Sequence, residues 1–168
     1  MLRGKRRSDS MRRFKKRFKR PKRPYDSARI EEEAKLLSEY GLRRKREIWT
    51  AQDILRNYRR RARELIATRD EEKIKILMDK LAKFGLLTKG KTLDDVLGLG
   101  VEDILNRRLQ TIVWKKGMAN TPKQARQFIV HGHVLVNGRR VTSPSYLVPV
   151  NEENKIQLAL KSKGEGNE

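Results

Sequence analysis

Between Asp26 and Gly85 the apolar residues recur every three to four positions, which is helical rather than strand spacing. Ile30, Ala34, Leu37 and Tyr40 form the first such stripe, and Gly41 is suited to stop the helix. Thr50 with Asp53 resembles an N-cap pair, and Ile54, Leu55, Tyr58, Ala62, Leu65 and Ile66 continue from it as a second stripe. Asp70 is placed to cap a third helix, with Ile74, Leu77, Met78 and Leu81 inward and Gly85 at its end. Thr92 and Asp95 open a short fourth element before Gly98-Leu99-Gly100. None of these helices is long enough to persist alone in water, so they must pack on one another or on the C-terminal half of the chain.

From Ile104 the pattern changes. Ile104, Leu105, Leu109, Ile112 and Val113 predict one helix that ends at Gly117. Thr121 as N-cap, Pro122 at the first helical position and Gln124 two residues later predict the start of another. Ala125, Phe128 and Ile129 give that helix its buried side, Lys123, Arg126 and Gln127 point outward, and Gly132 ends it. Val134 to Val136 reads as a strand, and Asn137-Gly138 is the strongest short hairpin signal, because a type I′ turn needs positive φ at both positions. Arg139, Arg140 and Val141 return, and Tyr146 to Val150 and Lys155 to Leu160 read as two more strands. The fold class is therefore α+β: a helical N-terminal domain (25–103), then two helices packed on a short hairpin sheet (104–160), flanked by tails at 1–24 and 161–168.

Charge sharpens this outline. The 168 residues carry 42 Lys+Arg against 21 Asp+Glu, a net +21. Such self-repulsion opposes compaction unless a polyanion neutralises it, and nucleic acid is the first candidate, because each paired phosphate releases counterions. Residues 1–24 hold 13 of the cations and one acid, Asp9, so more than half of the surplus lies there. That segment is too polar to fold alone and is expected to be disordered in isolation and ordered on RNA, with Arg12, Arg13, Lys15, Lys16 and Arg17 on phosphates and Phe14 and Phe18 free to stack. Met11 is an alternative start, since the residues before it carry no other signal. Arg43, Arg44, Lys45 and Arg46 precede the second helix, and Arg56, Arg59, Arg60 and Arg63 recur at i, i+3, i+4, i+7 opposite its apolar stripe. Glu47, Asp53 and Glu64 are too few to balance them, so this face too is read as an RNA contact.

RRLQT, then TPKQARQFIVHGHVLVNGRRV and PSYLVP, resemble the RNA-binding domain of the small-subunit ribosomal protein four family, an alpha-L-type unit. ARIEEEAKLLSEYGLRRKREIW resembles the first helices of its archaeal and eukaryotic branch. The resemblance covers Pro24 to Leu160. It implies a structural constituent of the small subunit that binds 16S-type ribosomal RNA directly and early in assembly. It also implies a neighbour, small-subunit protein five, and a contribution to decoding accuracy in the cytoplasm. Transferred to this chain, the RNA contacts are Arg107 and Arg108, then Thr121, Lys123, Gln124, Arg126, Gln127, His131 and His133, then Asn137, Arg139 and Arg140. Independently, a helix N-terminus at Thr121 and Lys123 is an anion site, and Gln, Asn and His suit 2′-hydroxyls and base edges.

No catalytic constellation is legible. Gly98-Leu99-Gly100 lacks the third glycine and preceding strand of a nucleotide cradle. His131-Gly132-His133 has no third ligand nearby, and the zinc cysteines of many bacterial relatives have no counterpart in a chain without cysteine. Neither a cofactor, a metal nor a small-molecule substrate is expected. No stretch approaches the roughly 20 apolar residues of a membrane span, and no helix pairs a cationic face with a large exposed apolar one. Trp49 and Trp114 flank helices and read as core or interface anchors rather than base-stacking platforms. The competing reading is an RNA-modifying enzyme of pseudouridine-synthase type carrying this hairpin unit, but 25–103 is helical and too short for its catalytic domain.

Overall fold

The structure, a computed structural model, describes residues 18–88 and 90–159. Of the expected N-terminal tail, everything up to Arg17, with Arg12, Arg13, Phe14, Lys15 and Lys16, lies outside these residues, as do Leu160 and the expected tail 161–168.

Five helices build the first body: α1 (Ser27–Glu39), α2 (Lys45–Thr68), α3 (Glu71–Lys83), α4 (Leu93–Gly98) and α5 (Val101–Asn106). The long α2 is its axle. Ile48, Ala51, Leu55, Tyr58, Ala62 and Leu65 follow alternating three- and four-residue steps and are all buried. Leu77 and Leu81 of α3, Val96 of α4, Leu99, and Ile104 and Leu105 of α5 close over this stripe. The polar ends behave as their local chemistry dictates. Asp70 accepts from the Lys73 amide at 3.4 Å, and Asp95 accepts from the Thr92 amide at 2.8 Å.

Three expectations for this body change. α2 starts at Lys45, so Thr50 is not its cap but lies inside it and donates its hydroxyl to the Arg46 carbonyl at 2.8 Å. Ile66 is 41% exposed and drops off the stripe, because one position beyond buried Leu65 it is turned about 100° around the helix. In α1, Ala34 is exposed while Leu36 packs inward. The helix is oriented by a polar anchor: Glu33 is buried and holds Arg29 and Trp49.

The second body comprises α6 (Leu109–Lys115), α7 (Pro122–Val130), β1 (Val134–Val136), β2 (Arg139–Arg140), α8 (Val150–Glu153) and β3 (Ile156–Leu158). Its sheet is antiparallel in the order β2-β1-β3. Asn137 at φ 51° and Gly138 at φ 75° make the tight turn between β1 and β2, as the type I′ requirement demands. Leu109, Ile112, Val113, Ala125, Ile129, Val134, Val136, Val148 and Ile156 form its separate core.

The single helix expected over Ile104–Val113 is instead two, α5 and α6, with Arg108 extended between them at φ −73° and ψ 143°. The cause lies downstream. Leu147 bridges Arg108 in antiparallel fashion, the Leu109 amide donates to Tyr146 O at 2.8 Å, and the Val148 amide donates to Arg107 O at 3.0 Å. Backbone groups that a continuous helix would satisfy internally are satisfied by Tyr146–Val148. That segment therefore makes one bridge rather than the expected strand, and Val150 begins α8. The break carries the chain from one core to the other.

Candidate nucleic-acid interface

A polar seam fixes the angle between the two bodies. Gln110, 1% exposed, donates its side-chain amide towards Tyr40 O (3.1 Å), Gly41 O (3.0 Å) and Pro122 O (3.0 Å). Beside it, Glu47 of α2 accepts from Arg108 at 2.5 Å and from Arg126 at 3.0 Å. Arg126 also donates to Gln110 Oε1 at 3.3 Å. Burial pushes the Glu47 carboxyl up, but the hydrogen bonds from Arg126 and Arg108 and their charges outweigh it and hold the group below the ordinary carboxylate range. Gly41, at φ +57°, lets the bodies touch: a Cβ there would lie 2.8 Å from Pro122 Cβ.

The seam revises three residues expected on the RNA face. Arg108, 5% exposed, and Arg126, expected to point outward, both turn into the seam to neutralise Glu47. Arg107 braces α8, donating to Glu153 at 2.8 Å and to Val148 O at 2.9 Å. Arg59 is also partly withdrawn, donating to Leu99 O at 2.6 Å. In each case a guanidinium satisfies a carboxylate or carbonyl inside the fold.

Other cations stay outside. Arg56, Arg60 and Arg63 are exposed along α2, with Arg56 on Asp53 at 2.9 Å and Arg60 at a loose 3.8 Å from Glu64. Arg43, Arg44 and Arg46 are exposed at its start, and Lys45 is half-buried near Glu33 at 3.5 Å. Lys45 and Arg46 occupy the first turn, where the macrodipole disfavours cations. Helix stability does not explain them; a bound anion would.

On the second body, Lys123, Gln127 and His131 are exposed at i, i+4, i+8 along α7 and its C-cap. Thr121 and Gln124 serve the helix end: Thr121 Oγ1 accepts from the Gln124 amide at 3.2 Å, and Gln124 Oε1 accepts from the Asn120 amide at 2.8 Å. His131 and His133 stack at 6.2 Å between centroids, and the Phe128 ring meets His133 edge-on. Gly132 makes room for Arg140, whose Cδ would lie 2.8 Å from a Cβ at that position. Arg140 is thus laid beside the histidines, with exposed Arg139 and Asn137 at the hairpin.

Residues 12–106 match the family model described as ribosomal protein S4/S9 N-terminal domain, and residues 107–154 match the S4 domain. The two matches meet at the break between α5 and α6. The chain is also 49% identical over 149 residues to small ribosomal subunit protein uS4 of Korarchaeum cryptofilum, covering 88% of this chain and 90% of that protein. It is 52% identical over 152 residues to the uS4 of Saccharolobus islandicus, covering 88% and 84%. For the uS4 of Methanospirillum hungatei the identity is 49% over 155 residues, covering 88% and 86%. This chain belongs to the uS4 family, in its archaeal-type branch. Residues 12–106, which a pseudouridine-synthase reading would need for catalysis, match the ribosomal N-terminal domain instead, and the relatives are named as ribosomal proteins.

Within this uS4-family fold, reasoning from sequence misses two residues that set the geometry of the interface. Gln110 is a polar residue between the buried Leu109 and Ile112, and periodicity gives no reason to place it inside. Glu47 looks like no more than a weak counterweight to arginines on its own helix, whereas its partners lie 61 and 79 residues away.

Proposed function

We propose that the chain is a structural protein of the small ribosomal subunit that binds small-subunit ribosomal RNA directly and holds one RNA fold in place. The supporting observation is how the fold sorts its cations. Arg107, Arg108 and Arg126 are used inside, while Arg43, Arg44, Arg46, Arg56, Arg60, Arg63, Lys123, Arg139 and Arg140 remain on the outside of two bodies held at a fixed angle, with Lys45 half-buried at the edge. Gln127, His131, His133 and Asn137 add donors and acceptors suited to 2′-hydroxyls and base edges. Phosphate contacts of this kind position RNA and carry out no chemistry on it. The resemblance extends the proposal to small-subunit protein five as a neighbour, to early assembly and to decoding accuracy.

Titration of the full chain with fragments of small-subunit ribosomal RNA tests this. Expected are binding tighter than to an unrelated structured RNA of equal length, a steep salt dependence, and co-sedimentation with small subunits. Equal affinity for both RNAs, with the protein sedimenting free, would overturn it.

A further inference from the structure

We propose that a recess at the start of α2 receives one unstacked nucleotide of the bound RNA, its base against Trp49 and its phosphate between Arg20 and Arg46. The inference rests on the RNA-binding reading above and assigns a specific site within it. The recess encloses about 510 Å³, within the roughly 300–1,000 Å³ of small-ligand sites. Trp49, Pro21 and Pro24 supply its apolar wall and Arg20, Arg29, Lys45 and Arg46 its cations. A flat apolar surface beside guanidinium groups matches a nucleotide: every base has a π-face, and arginine meets phosphate through two parallel N–H donors.

The indole is set in advance. Trp49 Nε1 donates to Glu33 Oε1 at 2.9 Å, and Glu33, 2% exposed, is itself gripped by Arg29 at 2.6 Å. Phe18 rests on the indole at 5.8 Å and 40° but does not line the recess, so the ring is braced without the recess being filled. A ring already fixed loses little rotamer freedom when a base stacks on it. Glu33 engages Arg29 and Lys45. Arg20 and Arg46 are exposed and, among the described residues, have no carboxylate at ion-pair distance. Arg46 also lies in the first turn of a 24-residue helix whose dipole disfavours it until an anion arrives. An acidic peptide would satisfy the cations but leave the indole wall without a flat partner, so a nucleotide fits better.

The test uses the full chain carrying Trp114→Phe, which leaves Trp49 as the sole indole, titrated with the small-subunit RNA fragment. Quenching of Trp49 emission with the same midpoint as RNA binding is expected. Trp49→Phe keeps an aromatic ring and should hold Kd within about threefold, whereas Trp49→Leu should raise it about tenfold, the scale of one lost base–aromatic stack. Both variants lose the bond to Glu33, so a purely structural tryptophan would weaken binding equally in the two. Equal weakening, unquenched emission in the complex, or quenching by a poly-glutamate peptide in place of RNA would each overturn the proposal. Failure of the parent chain to bind RNA at all would instead remove the reading on which it rests.

Discussion

The seam between the bodies and the outer face of α2 are both rich in arginine, yet they differ in what surrounds each guanidinium. In the seam, Arg108 and Arg126 converge on one carboxylate and are largely withdrawn from water. On α2, Arg60 and Arg63 stand in solvent, and the nearest acid to Arg60 is a loose 3.8 Å away. A surface pair of that kind contributes little to stability, whereas a buried charge left without its partner is costly. Arginine count therefore says nothing about role. The first group holds the protein's shape, and the second contributes little to it.

The sharpest way to break this contrast is Glu47→Ala, which leaves Arg108 buried without a counter-charge. It should cost about 3 kcal/mol in urea unfolding and separate the transitions of the two bodies; an unchanged midpoint would return Arg108 to the exposed class. Next is Gly41→Ala. A side chain there meets Pro122 and must adopt a left-handed φ, so a loss of roughly 1–2 kcal/mol is expected by the same assay.

Acidity gives a subtler measure. Glu47 and Glu33 are both held below the ordinary carboxylate value near 4.5 although burial pushes each upward; hydrogen bonds from Arg126 and Arg108 to Glu47, and from Trp49 and Arg29 to Glu33, outweigh it. A group whose folded-state value is depressed adds stability above its unfolded value and loses it as pH falls through the folded one. Thermal melts should thus be flat near neutrality and fall below about pH 4.5, and Glu47→Gln should flatten part of that acid limb. The smallest stability effect is expected for Arg60→Ala with Arg63→Ala, within about 0.5 kcal/mol of the parent. That pair should instead weaken RNA binding and make its log–log salt slope shallower by about two; an unaltered slope would take both residues off the RNA.

How far the sequence could be read depends on the range of the forces involved. The turn at Asn137-Gly138, the caps at Asp70, Thr92 and Thr121 and the stop at Gly85 depend on neighbours within a few residues, and the structure has them where local chemistry puts them. The start of α2 is local, with the Arg43 amide donating to Glu47 Oε1 at 3.2 Å, but carries no conventional cap residue; the break at Arg108 and the direction of Arg126 depend on partners far along the chain. Nothing local stops a helix at Arg107; Tyr146–Val148 does, by offering competing backbone groups. The same limit applies to the interface. The exposed stripe of α2 follows from periodicity, whereas Arg107, Arg108 and Arg126 look no different from it until Glu47 and Glu153 are placed in space.

The seam is also a matter of timing. Ribosomes synthesise Glu47, Tyr40 and Gly41 well before Gln110 and Arg126, so the leading half of a nascent chain emerges with a carboxylate and two carbonyls whose designated partners do not yet exist. Water must serve them meanwhile. Final registration of the two halves then waits on the last of those partners to leave the exit tunnel, and a chain truncated before Arg108 would carry a leading half with none of the seam's cross-links.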